Sequence, residues 1–261
     1  MNFSRTWLQL LADIMNNGDH ACPRGLPTKE LCQKTIVVDT RFPVLTIKER
    51  ALNYQFMAAE TYWILSGDDR VATIEPFNKN IVKYSDNGTT FFGAYGPKIV
   101  GQLDYVVEKL DADHDTRQAG LTIWRENPPA TKDTPCTVAI FFNLRGSNLN
   151  CHVFMRSSDV WLGVPYDVFT FSMLTHLVCA KLNERDSLFK ILPGTLYLTA
   201  VSSHLYESNW SMVNKIINQG VDLNDGSQPP TPDELFGNSM MLMATLQNLR
   251  VSVPGDNIRW W

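Results

Sequence analysis

The chain has 261 residues, a formal net charge of −4, 44% hydrophobic and 19% charged side chains. That is the make-up of an ordinary globular protein, long enough to bury a core without disulfides, and it excludes a disordered chain. A mildly acidic chain lacks the positive field that would hold it to DNA or an anionic membrane, and no apolar run reaches the roughly 20 residues of a membrane span.

Trp7, Leu8, Leu11, Ile14 and Met15 recur at helical spacing and predict an opening helix over 3–16. The same stretch has neither the basic start nor the continuous apolar run of a secretion signal. From His20 to Lys34, Pro23, Gly25 and Pro27 predict a loop. Thr35 to Val38 reads as a strand, and Ile47 to Ser66 as a long helix closed by Gly67. Asp86-Asn87-Gly88 is a turn, and Tyr105 to Leu110 has helical spacing. Thr137 to Leu144 and Asn150 to Met155 form a hairpin around Arg145-Gly146-Ser147-Asn148. Val168 to Leu182 is a long apolar helix, Thr195 to Val201 a strand, and the proline-rich stretch 220–238 a surface loop. Trp260 and Trp261 must pack somewhere. With no internal repeat and no linker, residues 1–261 read as one α+β domain.

Five scattered cysteines (Cys22, Cys32, Cys136, Cys151, Cys179), odd in number and without a CxxC pair, argue against a disulfide framework and against zinc. We expect a cytoplasmic protein without a metal. The most informative segment begins at Arg156-Ser157-Ser158-Asp159 and ends at Tyr166-Asp167. An arginine followed by two hydroxyls after a strand suits a phosphate through charge-assisted hydrogen bonds, although spacing alone fits a strand-end salt bridge as well.

This segment resembles the nucleotide-binding signature of the thymidylate synthase family. Six further motifs follow the family's order: Phe42 to Lys48, Glu60 with Gly67-Asp68, Gly93 to Gly96 around Tyr95, Asp115-Thr116-Arg117, Pro135-Cys136, and His204 with Tyr206. The resemblance covers roughly residues 24 to 210. It implies a thymidylate synthase-like α+β fold, a mixed sheet packed with helices, and a homodimer formed across a sheet face. It also implies 5,10-methylenetetrahydrofolate as co-substrate and a pyrimidine deoxynucleoside monophosphate as substrate. Carried over by motif, Cys136 is the nucleophile, Glu60 the general acid/base, and Tyr95 belongs to the catalytic set. Arg24, Arg156, Ser157 and Ser158 hold phosphate, with Arg117 lent by the partner subunit. His204 and Tyr206 hold the sugar, while Asp159, Gly163 and Tyr166 face folate and ring.

Two departures set the expected reaction. Asp167 stands where synthases acting on dUMP have Asn, and a carboxylate suits the amino donor of cytosine rather than the O4 acceptor of uracil. Thr137 follows the nucleophile where synthases carry His. Both features resemble the phage dCMP hydroxymethylases of the family, which let water add to an exocyclic methylene at C5 instead of reducing it. In place of the synthases' tryptophan-rich stretch stands Ile81-Val82-Lys83-Tyr84, and Gln118 follows Arg117 where the family has a second arginine. The expectation is folate-dependent hydroxymethylation of C5 of dCMP. The alternatives are methylation of dCMP, action on dUMP, action on CMP, and a non-catalytic nucleotide- or RNA-binding relative.

Overall fold

A computed structural model describes residues 3–185, 190–219 and 230–251. In chain order the elements are α1 (Phe3–Asn17), β1 (Asp19–Ala21), β2 (Thr28–Asp39), α2 (Tyr54–Leu65), α3 (Val71–Ile74), α4 (Gly96–Ala112), β3 (Gly120–Thr122), β4 (Thr137–Arg145), β5 (Asn148–Asp159), α5 (Val164–Arg185), β6 (Leu192–Tyr206), α6 (Glu207–Gln219) and α7 (Ser239–Val251). The strands form one mixed sheet in the order β1-β2-β6-β5-β4-β3. β5 and β6 run parallel, joined by the α5 crossover, and the other neighbouring pairs are antiparallel.

The opening helix, the β4–β5 hairpin and the long apolar helix stand where the sequence predicts them. Gly146, at φ +58°, opens the two-residue hairpin turn, a conformation that glycine adopts without a Cβ clash. Every residue of α5 from 168 to 180 is buried, as suits a helix apolar all round.

Two readings need correction, and two more stand with changed detail. The predicted loop from His20 to Lys34 is mostly strand: only the turn around Pro23 and Gly25 interrupts β1 and β2. Its Lys, Glu and Gln side chains masked the pattern, because none of them is buried while the backbone pairs with β6. The helix expected from Ile47 starts at Tyr54, since Ala51 is left-handed (φ +47°) and Asn53 caps α2 by accepting from Phe56 N–H at 2.9 Å. The helix expected over Tyr105–Leu110 is the end of α4, which begins at Gly96 with Pro97 in its first turn. Within the loop expected over 220–238, Asp233–Leu235 forms a helical turn; residues 220–229, like Trp260 and Trp261, lie outside the described residues.

One sheet face buries α5 and its neighbours. The other presents Val37, Phe141, Phe154 and Val201 partly exposed, with His152 stacked on Tyr197 at 4.8 Å. Register places Val37, Tyr197, His152 and Phe141 in one row across four strands. α7 closes the opposite side by packing on α2, with Leu242 and Leu246 fully buried and Arg250 4.3 Å over the Tyr62 ring. No described helix is long and apolar enough to cross a membrane.

Leu246→Ala removes a fully buried side chain between two helices and should lower unfolding free energy by about 2–4 kcal/mol in urea titration. An unchanged midpoint would mean that α7 adds nothing to the fold.

Candidate active site

Strand β5 and the first turn of α5 bring the signature segment to one end of the sheet. Between them the chain reverses over residues 159–163, where Asp159 Oδ1 accepts the N–H groups of Trp161 (2.9 Å) and Leu162 (2.8 Å). Gly163 sits so close that a Cβ there would lie 3.1 Å from the Asp159 carbonyl and 3.3 Å from Asp167 Oδ2. This reversal aims Asp167 into the same space as Glu60 of α2.

The candidate nucleophile lies one residue before β4, next to β5. Arg156 donates from Nε to Pro135 O (2.9 Å) and from Nη2 to Thr134 O (2.8 Å), so its guanidinium clamps the loop that carries Cys136. The same group reaches Cys136 Sγ at 3.6 Å and Ser157 Oγ at 3.1 Å, and Ser157 Oγ reaches the sulfur at 3.7 Å. Arg156 lies inside β5 rather than after a strand, because the strand continues to Asp159. Burial raises the Cys136 thiol, outweighing the lowering by Arg156 and Ser157, and Asp167 and Asp133 raise it further. The guanidinium therefore favours the thiolate without making it the resting form.

Two cavities share Glu60, Ile81, Tyr84 and Asp167 in their walls. The larger, about 550 Å³, carries Phe56, Phe77 and Tyr166 with Arg50 and Lys83. The smaller, about 240 Å³, is bounded by Glu60, Trp63, Tyr95, Asp133 and Asp167. Burial, reinforced by Asp167, pushes the Glu60 carboxyl up to about 8; burial and Asp159 push Asp167 up to about 7. Tyr95 Oη accepts from Thr137 N–H at 3.2 Å, and its phenol is raised well beyond its usual range by burial. The Thr137 hydroxyl is buried without a hydrogen-bond partner among the described residues.

The structure thus brings together Glu60, Tyr95, Cys136, Arg156, Ser157 and Asp167. A second group gathers along β6: Arg24 Nη2 approaches Tyr206 Oη at 3.5 Å, His204 and Tyr206 contact edge to face, and Asp159 pairs in register with His204. Tyr166 packs edge-on against Phe56, and its hydroxyl accepts from Asn53 N–H at 3.4 Å. Ser158 is not brought to the site. It is 2% exposed, on the sheet face opposite Ser157, with its hydroxyl unpartnered among the described residues. Arg117 is exposed between α4 and β3 and lines neither cavity. His176 is fully buried beside Phe236, and burial holds its imidazole down to about 3, a neutral core side chain.

Sequence reasoning missed Arg50 and Asp133. Arg50 donates to Trp161 O at 2.9 Å and stacks over the Trp161 ring, a position no local pattern announces. Asp133 stands three residues before Cys136, and that proximity was the available signal.

The thymidylate synthase family profile matches residues 5–224, most of the chain. The chain belongs to the thymidylate synthase family. It is 28% identical to a deoxyuridylate hydroxymethyltransferase of Bacillus phage SP01 over 278 residues, covering 94% of this chain and 69% of that protein. It is also 25% identical to the thymidylate synthase of Pseudomonas fluorescens (80% and 82% covered). Identity to that of Buchnera aphidicola is 24% (82% and 83% covered). As a member of this family of transferases, the protein performs one-carbon transfer of the thymidylate synthase type on pyrimidine nucleotides.

Glu60 offers a direct electrostatic test. Its folded-state pKa near 8 exceeds that of an unfolded glutamate, so the folded state holds a proton that the unfolded chain releases. Stability from this group is therefore lost as pH rises from about 4.5 to 8. Glu60→Gln should leave stability near pH 4 unchanged and raise it by a few kcal/mol at pH 8 to 9. Equal stability of the two proteins at both ends would show that Glu60 ionises freely.

Proposed function

We propose that this protein hydroxymethylates C5 of dCMP, converting 5,10-methylenetetrahydrofolate, water and dCMP to 5-hydroxymethyl-dCMP and tetrahydrofolate. The observation that carries the reading is Asp167 in the wall shared by both cavities, within the field of Glu60.

A carboxyl there answers cytosine through two hydrogen bonds, accepting from the exocyclic amine and sharing one proton with N3. With its pKa near 7, Asp167 can pass that proton to the ring. A protonated N3 withdraws electrons from C6, where the Cys136 sulfur adds, and Arg156 and Ser157 stabilise the thiolate at that moment. Arg24 and Ser157 serve the phosphate, His204 and Tyr206 the sugar, and Glu60, carrying a proton at neutral pH, acts as acid.

The larger cavity fits a flat heterocycle with an anionic tail: aromatic rings line it, and Arg50 and Lys83 supply positive charge. Tyr166, Gly163 and Asp159 would hold the folate, which supplies a one-carbon unit at the oxidation level of formaldehyde. The smaller cavity has room for several waters of about 30 Å³ each. That space, walled by three carboxyls, supports completion by water over completion by hydride.

A second reading is favoured by one observation. At pH 7 or below, a neutral Asp167 could donate to O4 of uracil while accepting from N3–H. dUMP would then be the substrate, in keeping with the deoxyuridylate specificity in the name of the phage SP01 relative.

Mass spectrometry of products with dCMP, dUMP and CMP in parallel decides between them. The expected result is 5-hydroxymethyl-dCMP from dCMP, little product from dUMP, and a shift toward dUMP in Asp167→Asn. Turnover of dUMP alone would overturn the base assignment, and a 5-methyl product would overturn the water step.

We infer a homodimer across the open sheet face, which would hand Arg117 to the partner's phosphate. The row of Val37, Tyr197, His152 and Phe141 with Phe154 supports this, being apolar surface of the kind that marks an interface. Phe154→Glu should convert the dimer to monomer in sedimentation velocity. Wild-type protein that sediments as a monomer at micromolar concentration would refute the assembly.

A further inference from the structure

We propose that Asp133 is the base that takes the proton of the water adding to the one-carbon unit at C5. The proposal rests on the hydroxymethylation reading.

Asp133 lines the smaller cavity with Glu60, Tyr95 and Asp167, three residues ahead of Cys136. Its side chain and its backbone are each held in place. Gly93 N–H donates to Oδ2 at 2.7 Å, which leaves Oδ1 to accept from a water. Its own N–H donates to Thr131 Oγ1 at 3.0 Å; the Thr131 hydroxyl and the Lys132 N–H are in turn bound by the Asp86 carboxylate. A Cβ at position 93 would lie 2.3 Å from the Asp133 carbonyl, so the two backbones touch. The Asp86 turn and the Gly93 turn thus hold one carboxylate against the cavity that also receives Glu60.

The other two carboxyls are poorly suited to the task. Glu60 retains its proton at neutral pH and donates rather than accepts. Asp167 is engaged with the base. Burial and the nearby Asp86 charge raise Asp133 too, but the Gly93 amide opposes that rise by favouring the charged form, an aid that neither Glu60 nor Asp167 receives among the described residues.

In the step itself, the water oxygen bonds to the exocyclic methylene carbon while its proton passes to Asp133 Oδ1. The electron pair of the exocyclic double bond moves to C5 and forms C5=C6 as the C6–S bond breaks. The pair of that bond leaves on Cys136 sulfur. The proton on Asp133 then returns to the thiolate or to solvent, and no oxidant or reductant is consumed.

Asp133→Asn is the test, because Asn Oδ1 still accepts from Gly93 while the basic oxygen is lost. Two readouts separate the roles. Release of tritium from [5-³H]dCMP with methylenetetrahydrofolate reports the steps before water addition. Product mass in the presence of 2-mercaptoethanol reports the fate of the methylene. We expect tritium release within about threefold of wild type, a fall of about 100-fold in hydroxymethyl product, and accumulation of the thioether adduct. An unchanged ratio of hydroxymethyl product to tritium release overturns the proposal. So does loss of both signals together, which would make Asp133 a support for the Gly93 turn. Wild-type enzyme that yields only a 5-methyl product would instead refute the hydroxymethylation reading, before any variant is made.

Discussion

The site depends on the reversal between β5 and α5. A strand and a helix that follow one another directly must turn within a few residues, and the freed N–H groups of that turn need acceptors. Asp159 meets two of them with one carboxylate oxygen, and Gly163 allows the backbone to close on itself. Because the turn is tight, Arg156 and Ser157 at the strand's end and Asp167 in the helix's first turn all act on the Cys136 thiol. α5 cannot shift to relieve the crowding, since its residues from 168 to 180 are all buried. The rigidity of the core is thereby transmitted to the chemistry.

That rigidity has an electrostatic consequence. Glu60, Asp133 and Asp167 are drawn out of water into one pocket, and burial raises all three, each with a neighbouring carboxylate adding to the rise. Such an arrangement works against folding at neutral and alkaline pH. The result is a set of carboxyls raised to different extents, Glu60 to about 8 and Asp167 to about 7. A proton donor and a proton acceptor can then stand side by side, which identical solvated carboxylates could not provide. The thiol is treated the same way: burial keeps it protonated at rest, and Arg156 lowers the barrier to the thiolate when it is needed.

Legibility in the sequence followed the strength of local signals. α1, the β4–β5 hairpin and α5 were readable because their apolar patterns are long and their turn residues decisive. The strand character of residues 28–34 was not, because a pairing partner 170 residues away in β6 decides it, and polar side chains on an open face carry no alternation. α6 and α7 went unread for a related reason: each buries only a few side chains, and a thin apolar stripe is a weak period. At the site, the order of motifs located Cys136, Glu60, Tyr95 and Asp167 by position. It did not reveal that the Arg156 guanidinium is spent largely on holding the loop of the nucleophile, nor that Ser157 and Ser158 part company across the sheet. Adjacent strand residues always do so, and a strand boundary placed four residues too early concealed it.

On the proposed reading, base identity and the fate of the methylene share a wall. Asp167 contributes to both cavities, and its charge is one of the terms that keep Glu60 protonated. Replacing it by a neutral amide would remove the proposed reader of cytosine and, at the same time, lower the Glu60 pKa by removing that repulsion. Glu60 would then become a better acceptor and a worse donor, altering the step beyond base recognition. A carboxyl at this position therefore has a second effect beside the proposed choice of an amino group over a carbonyl. It sets the protonation of its neighbour, and a pocket with one carboxyl held acidic leaves the task of base to a carboxylate anchored by a backbone amide. On the proposed reading, recognition of cytosine and activation of water are two outcomes of one buried charge balance.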